Sequence, residues 1–177
     1  PWQRRLIRIT QQLERKAERL RGLFAKVWTQ AIPITGSPEI WHYRNKVEFK
    51  FDRKYYEKPP PADFERETVL GFRKPGCWYW TFDVEECRIF SPVVGDVLSA
   101  VRDWYRTQGL QSFHNRQQTG WLKHLVLRES KRTGDRLAIL VTAPGEHDAT
   151  SIVPVLQSAA KFTGICHGVQ FGTPDAA

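Results

Sequence analysis

From Arg44 to Asp52 polar and apolar positions alternate without interruption. Arg44, Lys46, Glu48, Lys50 and Asp52 fall on one side, and Asn45, Val47, Phe49 and Phe51 fall on the other. A period of two predicts a half-buried β-strand over 44–53, with a valine and two phenylalanines entering a core and a mostly basic row facing water. A different period precedes it. Leu6, Ile9, Leu13, Ala17, Leu20, Phe24 and Val27 recur at spacings of three and four, which predicts a helix over 4–28. Its remaining surface carries eight Arg and Lys residues, Arg4 to Lys26, against Glu14 and Glu18. That face reads either as a solubilising surface with local ion pairs or as a contact surface for phosphates.

Further along, Pro and Gly punctuate the chain. A connector runs through Pro33 and Pro38, and a polar loop with Pro59-Pro60-Pro61 at its centre spans 54–67. Runs 68–72 and 77–84 predict two strands joined at Arg73-Lys74-Pro75-Gly76, with Trp78, Trp80 and Phe82 on one face of the second. Ser91-Pro92 predicts the start of a second helix, carrying Val94, Val97, Leu98, Val101 and Tyr105 inward and ending near Gly109. Runs 121–129 and 136–142 predict another hairpin across Thr133-Gly134. Ser151 predicts the cap of a third helix, and 165–171 a last strand. The fold class expected is α+β, a largely antiparallel sheet built from hairpins with two to three packed helices. We read 1–177 as one domain, with 1–28 as its N-terminal helix and 165–177 as the start of a linker to a further domain.

Charge narrows the choice of partner. A formal net charge of +8 and a pI near 9.6 favour a polyanion, either nucleic acid or an anionic membrane surface. No apolar run approaches the roughly 20 residues that span a bilayer, so a membrane partner is not expected. Three widely spaced cysteines make no disulfide framework and point to a reducing, cytoplasmic setting. The chain begins at Pro1 and has no methionine, which reads as a piece of a longer protein. A monomer is expected.

Within these residues there is no P-loop, no G-x-G-x-x-G, no H-E-x-x-H and no C-x-x-C. Asp83, Glu85 and Glu86 read as a solvated acidic corner. His42, His114, His124, His147 and His167 are scattered without a catalytic pattern, and Cys166 reads as a small core residue.

Three tracts carry more. Tyr43-Arg44-Asn45-Lys46-Val47-Glu48-Phe49, Gly71-Phe72-Arg73-Lys74-Pro75-Gly76 and Asp83-Val84-Glu85-Glu86-Cys87-Arg88-Ile89 are followed in order by 120–130, the run from Gly120-Trp121 to Glu129-Ser130. In that order and spacing they resemble the RNA uracil-5-methyltransferases, which make 5-methyluridine in tRNA and ribosomal RNA from S-adenosylmethionine. The resemblance covers about residues 1–142 and implies the central domain of such an enzyme. It implies no catalytic residue here, since the family's Ser-Cys-Asn-Pro nucleophile motif and Gly-rich cofactor loop are absent; S-adenosylmethionine would be bound by the parent protein and not by this chain. If such a domain grips RNA, Arg44, Lys46, Lys50, Arg73 and Lys74 are the candidates for phosphate contact. Exposed members of the Trp78, Tyr79 and Trp80 cluster are candidates for base stacking, with core packing the expected fate of at least two. Many members bind a 4Fe-4S cluster, and Cys87 matches its fourth ligand; the other three cysteines would precede Pro1. The competing reading of Cys87 is a structural thiol, and that of the whole chain a stand-alone basic module binding RNA or protein without catalysis.

Overall fold

The computed structural model describes residues 9–61, 64–77 and 79–172. The chain forms two compact units, Pro1–Ile40 and Trp41–Ala177. In the first, helix α1 spans Ile9–Phe24. The expected helix is thus shorter at its C-terminal end: Val27 and Trp28 both donate their N–H to the Phe24 carbonyl, at 2.9 and 2.8 Å, and the chain turns off. Residues 4–8 lie outside the described residues. No α1 side chain is buried, and Gly36 passes beside Leu13 of its apolar stripe.

The second unit holds β1 (Lys46–Arg53), β2 (Thr68–Arg73), β3 (Thr81–Asp83), α2 (Val94–Thr107), β4 (Leu122–Glu129), β5 (Arg136–Thr142), α3 (Ile152–Ala159) and β6 (Gly164–Val169). The strands make one sheet in the order β3-β2-β1-β4-β5-β6. All neighbours are antiparallel except β5 and β6, which are joined through α3 and run parallel, as a helical crossover requires. The α+β class and both hairpins are as the pattern predicts. Val47, Phe49 and Phe51 of β1 are buried and meet Leu70, Leu125, Leu127, Ala138 and Leu140 in one core cluster. Onto it α2 lays Val94, Val97, Leu98, Val101 and Tyr105, and α3 adds Ile152 and Leu156. Burial pushes the Tyr105 phenol up to about 12, and its hydroxyl donates to the Thr68 carbonyl at 3.1 Å.

Several local expectations are corrected. Strand β3 covers only Thr81–Asp83, because the residues before it turn away instead of continuing the ladder; Trp78 lies outside the described residues. Ser91 does not cap α2. It is buried, and its hydroxyl donates to Glu129 at 2.6 Å, while the helix starts without a side-chain cap. Ser151 does not cap α3 either. Asp148 accepts the Thr150 N–H at 2.9 Å and caps a short 3-10 turn, Ala149–Ser151, that runs into the helix. Cys166 is exposed on the edge strand β6.

Asp83, Glu85 and Glu86 are exposed, as a solvated acidic corner would be, but Asp83 is also paired. Arg102 of α2, 8% exposed, aims its guanidinium at it: Nε lies 3.0 and 3.2 Å from the two carboxylate oxygens and Nη2 2.8 Å from Oδ1. Nη2 also donates to the Val84 carbonyl, and Asp83 Oδ1 accepts the Leu70 N–H at 3.2 Å. This pair fastens α2 to the β2–β3 hairpin. Removing the carboxylate leaves a charge almost wholly out of water, whereas removing the guanidinium leaves Asp83 partly reachable by solvent. Asp83→Ala should therefore cost about 3–5 kcal/mol, and Arg102→Met less, about 2 kcal/mol. Urea melts of the two variants test the order; equal or reversed costs would refute it.

Candidate nucleic-acid interface

The row that alternation predicts exists, but its charge is mixed. Lys46, Glu48, Lys50 and Asp52 share the face of β1 opposite the core, and neighbours pair along the strand: Lys46 with Glu48 and Lys50 with Asp52, each at 3.3 Å. Lys50 and Asp52 are only 24% and 23% exposed at their side chains. Asp52 additionally accepts the Thr81 hydroxyl at 2.8 Å, linking β1 to β3. Arg44 is exposed just before β1, where its N–H donates to the Ile89 carbonyl at 2.8 Å and the His42 N–H to the Arg88 carbonyl at 2.8 Å. The segment carrying Arg44 is thereby docked on the loop that holds Cys87.

β1 and β2 are direct neighbours, with Lys50 opposite Gly71, so Arg73 lies on the strand beside the row and Lys74 just past its end. Gly71 has no substitute here: a Cβ would fall 1.9 Å from the Phe82 carbonyl oxygen. The turn beyond it uses Gly76 at φ +77°, a left-handed value that side chains disfavour. Lys74 donates its N–H to the Trp80 carbonyl at 2.7 Å, and its ammonium sits 3.7 Å from the centre of the Trp80 ring. That tryptophan stacks on Tyr55 at 4.6 Å and 22°, and Tyr55 touches Tyr79 at 5.8 Å. A hydrogen bond to Cys77 raises the Tyr79 phenol above its usual value.

Other cations were not legible as site residues. Exposed Arg128 faces Lys46 across the β1–β4 ladder, a pairing that only the register reveals. Arg53, Arg116 and Arg66 act together on His114, whose pKa is lowered first by burial and then by these charges; they come from three separate segments. On the same ladder His124 faces Lys50, and its Nδ1 lies 3.2 Å from Glu48 Oε1 without hydrogen-bond alignment. Burial lowers its pKa more than Glu48 raises it, so the ring is neutral at pH 7.

Cys87 is buried, 9% exposed, and belongs to the core cluster. A 4Fe-4S cluster needs four thiolates. Among the described residues no three His, Cys, Asp or Glu side chains come together to hold a metal. Cys87 as placed packs as a small apolar side chain. Pro1, before which the further ligands were expected, lies outside the described residues.

The chain is 29% identical over 140 residues to the tRNA (uracil(54)-C(5))-methyltransferase of Pyrococcus furiosus, across 79% of this chain and 30% of that protein. It is 30% identical over 173 residues to an uncharacterized RNA methyltransferase of Clostridium acetobutylicum, across 93% of this chain and 36% of that protein. Its fold matches that of the Pyrococcus abyssi tRNA (uracil-54, C5)-methyltransferase, crystallised with S-adenosyl-L-homocysteine, with a TM-score of 0.69 at 19% identity over 96% of this chain and 37% of that one. No protein-family model matches the chain. By sequence it belongs with the RNA methyltransferases, of which it spans about a third of the length of these relatives. The Pyrococcus relatives are uracil-5-methyltransferases, the family that the tracts at 43–49, 71–76, 83–89 and 120–130 resemble.

The last of those tracts includes Glu129, which accepts hydrogen bonds from Ser91 Oγ at 2.6 Å, Lys131 Nζ at 2.5 Å and Arg136 Nε at 2.7 Å. Burial raises its pKa, but the hydrogen bonds from Lys131, Ser91 and Arg136 together outweigh this and hold the carboxyl at about 2. A folded value below the ordinary 4.5 means that the stabilisation is complete above 4.5 and fades as pH falls towards 2. Urea melts stepped through that window should show the parent losing stability, with Glu129→Gln less stable at neutral pH and flatter towards acid. Parallel pH profiles for the two would contradict this.

Proposed function

We propose that this chain is the RNA-gripping central part of an S-adenosylmethionine-dependent RNA (uracil-5-)-methyltransferase. The observation that supports it most is the grouping of cations and aromatic rings on adjoining strands: Lys46 and Lys50 on β1, Arg128 across from Lys46, and Arg73 and Lys74 at the end of β2 beside Trp80. A chain of net charge +8 adds long-range attraction for a phosphate backbone. In this reading Arg44, Lys46, Lys50, Arg73 and Lys74 contact phosphates of a folded RNA, tRNA or ribosomal. They hold it while the target uracil leaves its stack for chemistry performed elsewhere in the enzyme. Lys46 and Lys50 exchange their bonds to Glu48 and Asp52 for phosphate oxygens. The pairing keeps both side chains extended along the sheet before RNA arrives. The cofactor and the nucleophile come from sequence that this chain does not contain, since it has neither a Ser-Cys-Asn-Pro motif nor a Gly-rich loop after a strand.

Two measurements test the proposal. Lys46→Ala combined with Lys50→Ala should weaken binding to a folded RNA and flatten the dependence on salt by about two phosphate contacts' worth, similarly for unrelated RNAs of equal length. The corresponding Lys→Arg pair should keep most of the binding. Unchanged affinity of the Ala pair across salt, with an unchanged thermal melt, would reduce these lysines to a solvated face. Calorimetry of the 177-residue chain with S-adenosylmethionine should show no saturable binding; a saturable isotherm would place the cofactor site in this chain after all.

A further inference from the structure

The end of β1, the start of β2 and the arm between α2 and β4 meet at one corner of the sheet. Arg53, the last residue of β1, lies opposite Thr68, the first of β2. The Thr68 hydroxyl oxygen accepts the Ser112 N–H at 2.9 Å, and the Gln111 side-chain amide donates to Glu65. Beyond Ser112 the arm turns back on itself. The His114 N–H donates to the Thr119 carbonyl at 2.7 Å, and His114 Nδ1 accepts the Gln117 N–H at 3.1 Å. Arg116 sits in the turn so formed, and Arg66 precedes Thr68 by two residues. One arginine from each of three segments is thus carried to the same corner.

The acids nearby already have partners. Asp52 pairs with Lys50 and accepts the Thr81 hydroxyl, Glu67 pairs with Lys54 at 2.9 Å, and Glu65 receives Gln111. Among the described residues none of Arg53, Arg66 and Arg116 is in an ion pair. Arg66 and Arg116 are exposed, and Arg53 is half-buried. Guanidiniums gathered without counter-charge repel one another, and an arriving anion removes that repulsion. Each planar fork also matches two oxygens of a phosphate. His114 registers the same charges: its pKa is lowered first by burial and then by Arg53, Arg116 and Arg66, with Asp52 opposing them.

This corner is distinct from the lysine row. Arg53 follows Phe51 by two residues and so shares the helix-bearing face with Val47, Phe49 and Phe51, whereas Lys46 and Lys50 point to the other. Along the strand Arg53 is only three residues past Lys50, about 10 Å.

We propose that Arg53, Arg66 and Arg116 form a second phosphate-contact site for RNA, on the face of the sheet opposite Lys46 and Lys50. The proposal rests on the RNA-gripping reading and adds that the bound RNA bends round the end of β1 to touch both faces. A folded RNA presents phosphates in several directions and can do this within a few nucleotides.

The test measures binding to one folded RNA hairpin across a salt series for the parent chain, Arg53/Arg66/Arg116→Gln, the Lys46/Lys50→Ala pair and the five-residue combination. The arginine variant should bind about tenfold or more weakly and flatten the salt dependence by about three phosphate contacts' worth. Its loss should add to that of the lysine pair, because the two sites share no side chain. Thermal melts should match that of the parent, since the three arginines hold no ion pair in the fold. NMR titration of His114 without RNA checks the corner itself: its pKa should rise in the arginine variant. Parent-like affinity and salt slope in the arginine variant, or a His114 that titrates there as in the parent, overturns the site. If the lysine pair still weakens binding in that case, the RNA-gripping reading stands without it. If only the arginine variant weakens binding, the site holds and the lysine row does not. If the parent binds no folded RNA, both readings fall together. Binding of the parent to anionic phospholipid vesicles that is lost in the arginine variant while RNA binding persists also overturns the proposal, in favour of a lipid surface.

Discussion

The buried guanidinium of Arg102 sets conditions that the rest of the second unit must meet. A charge that far from water is tolerable only where its donors find acceptors, and here they find the Asp83 carboxylate and a backbone carbonyl of the same hairpin. Lysine has no planar fork and cannot make the same set. Because Asp83 also receives the Leu70 N–H, the ion pair joins α2, β2 and β3 at one point. The hairpin end that carries Lys74, Trp80 and Tyr79 thus projects from a base fixed by charge as well as by apolar packing. A polar junction of this sort has directional requirements that an apolar contact lacks, and it suits a hairpin whose outer end has to be aimed.

The polar face of β1 follows another rule. Four charges in a row on a central strand, flanked by β2 and β4, cannot all be of one sign without repulsion at short range. Lys46 meets Glu48, Lys50 meets Asp52, and the neutral ring of His124 occupies the place opposite Lys50 where a further cation would add to the repulsion. Attraction for a polyanion is then a property of the whole chain's excess charge, with this row giving local shape to it.

What could be read from the sequence divides along physical lines. The alternation of Val47, Phe49 and Phe51 specifies its own burial, because a one-residue slip would turn all three to water, and the element order followed from such periods and from Pro-Gly turns. Interactions that depend on a distant partner were not legible. Ser91 and Ser151 look like helix caps because capping is the local use of serine, but the Ser91 hydroxyl goes to Glu129 and the cap ahead of α3 is Asp148. The pairing of Asp83 was hidden because its cation arrives from a helix nineteen residues later. Cys166 looked apolar enough for a core, yet β6 is an edge strand, and no local period says which strand will be outermost. Of the interface, Arg73 and Lys74 were legible through their turn, whereas Arg128 and Tyr55 emerge only from register and stacking.

The sheet order also dictates a history for the chain as it folds. β1 finds β2 across the 54–67 loop, and β4 finds β5 across a short turn, so each half has a local partner. The ladder between them joins Lys46 to Arg128 and must wait for α2 and the loops around it to be made. During synthesis the apolar face of β1 and one of its hydrogen-bonding edges are therefore without their final neighbours while most of the unit is still to emerge. The same central pairing that gives the finished sheet its continuity is the slow, long-range closure in its assembly. Glu48 and Lys50, the charged side chains alternating along that waiting strand, discourage other strands from pairing with it in the meantime.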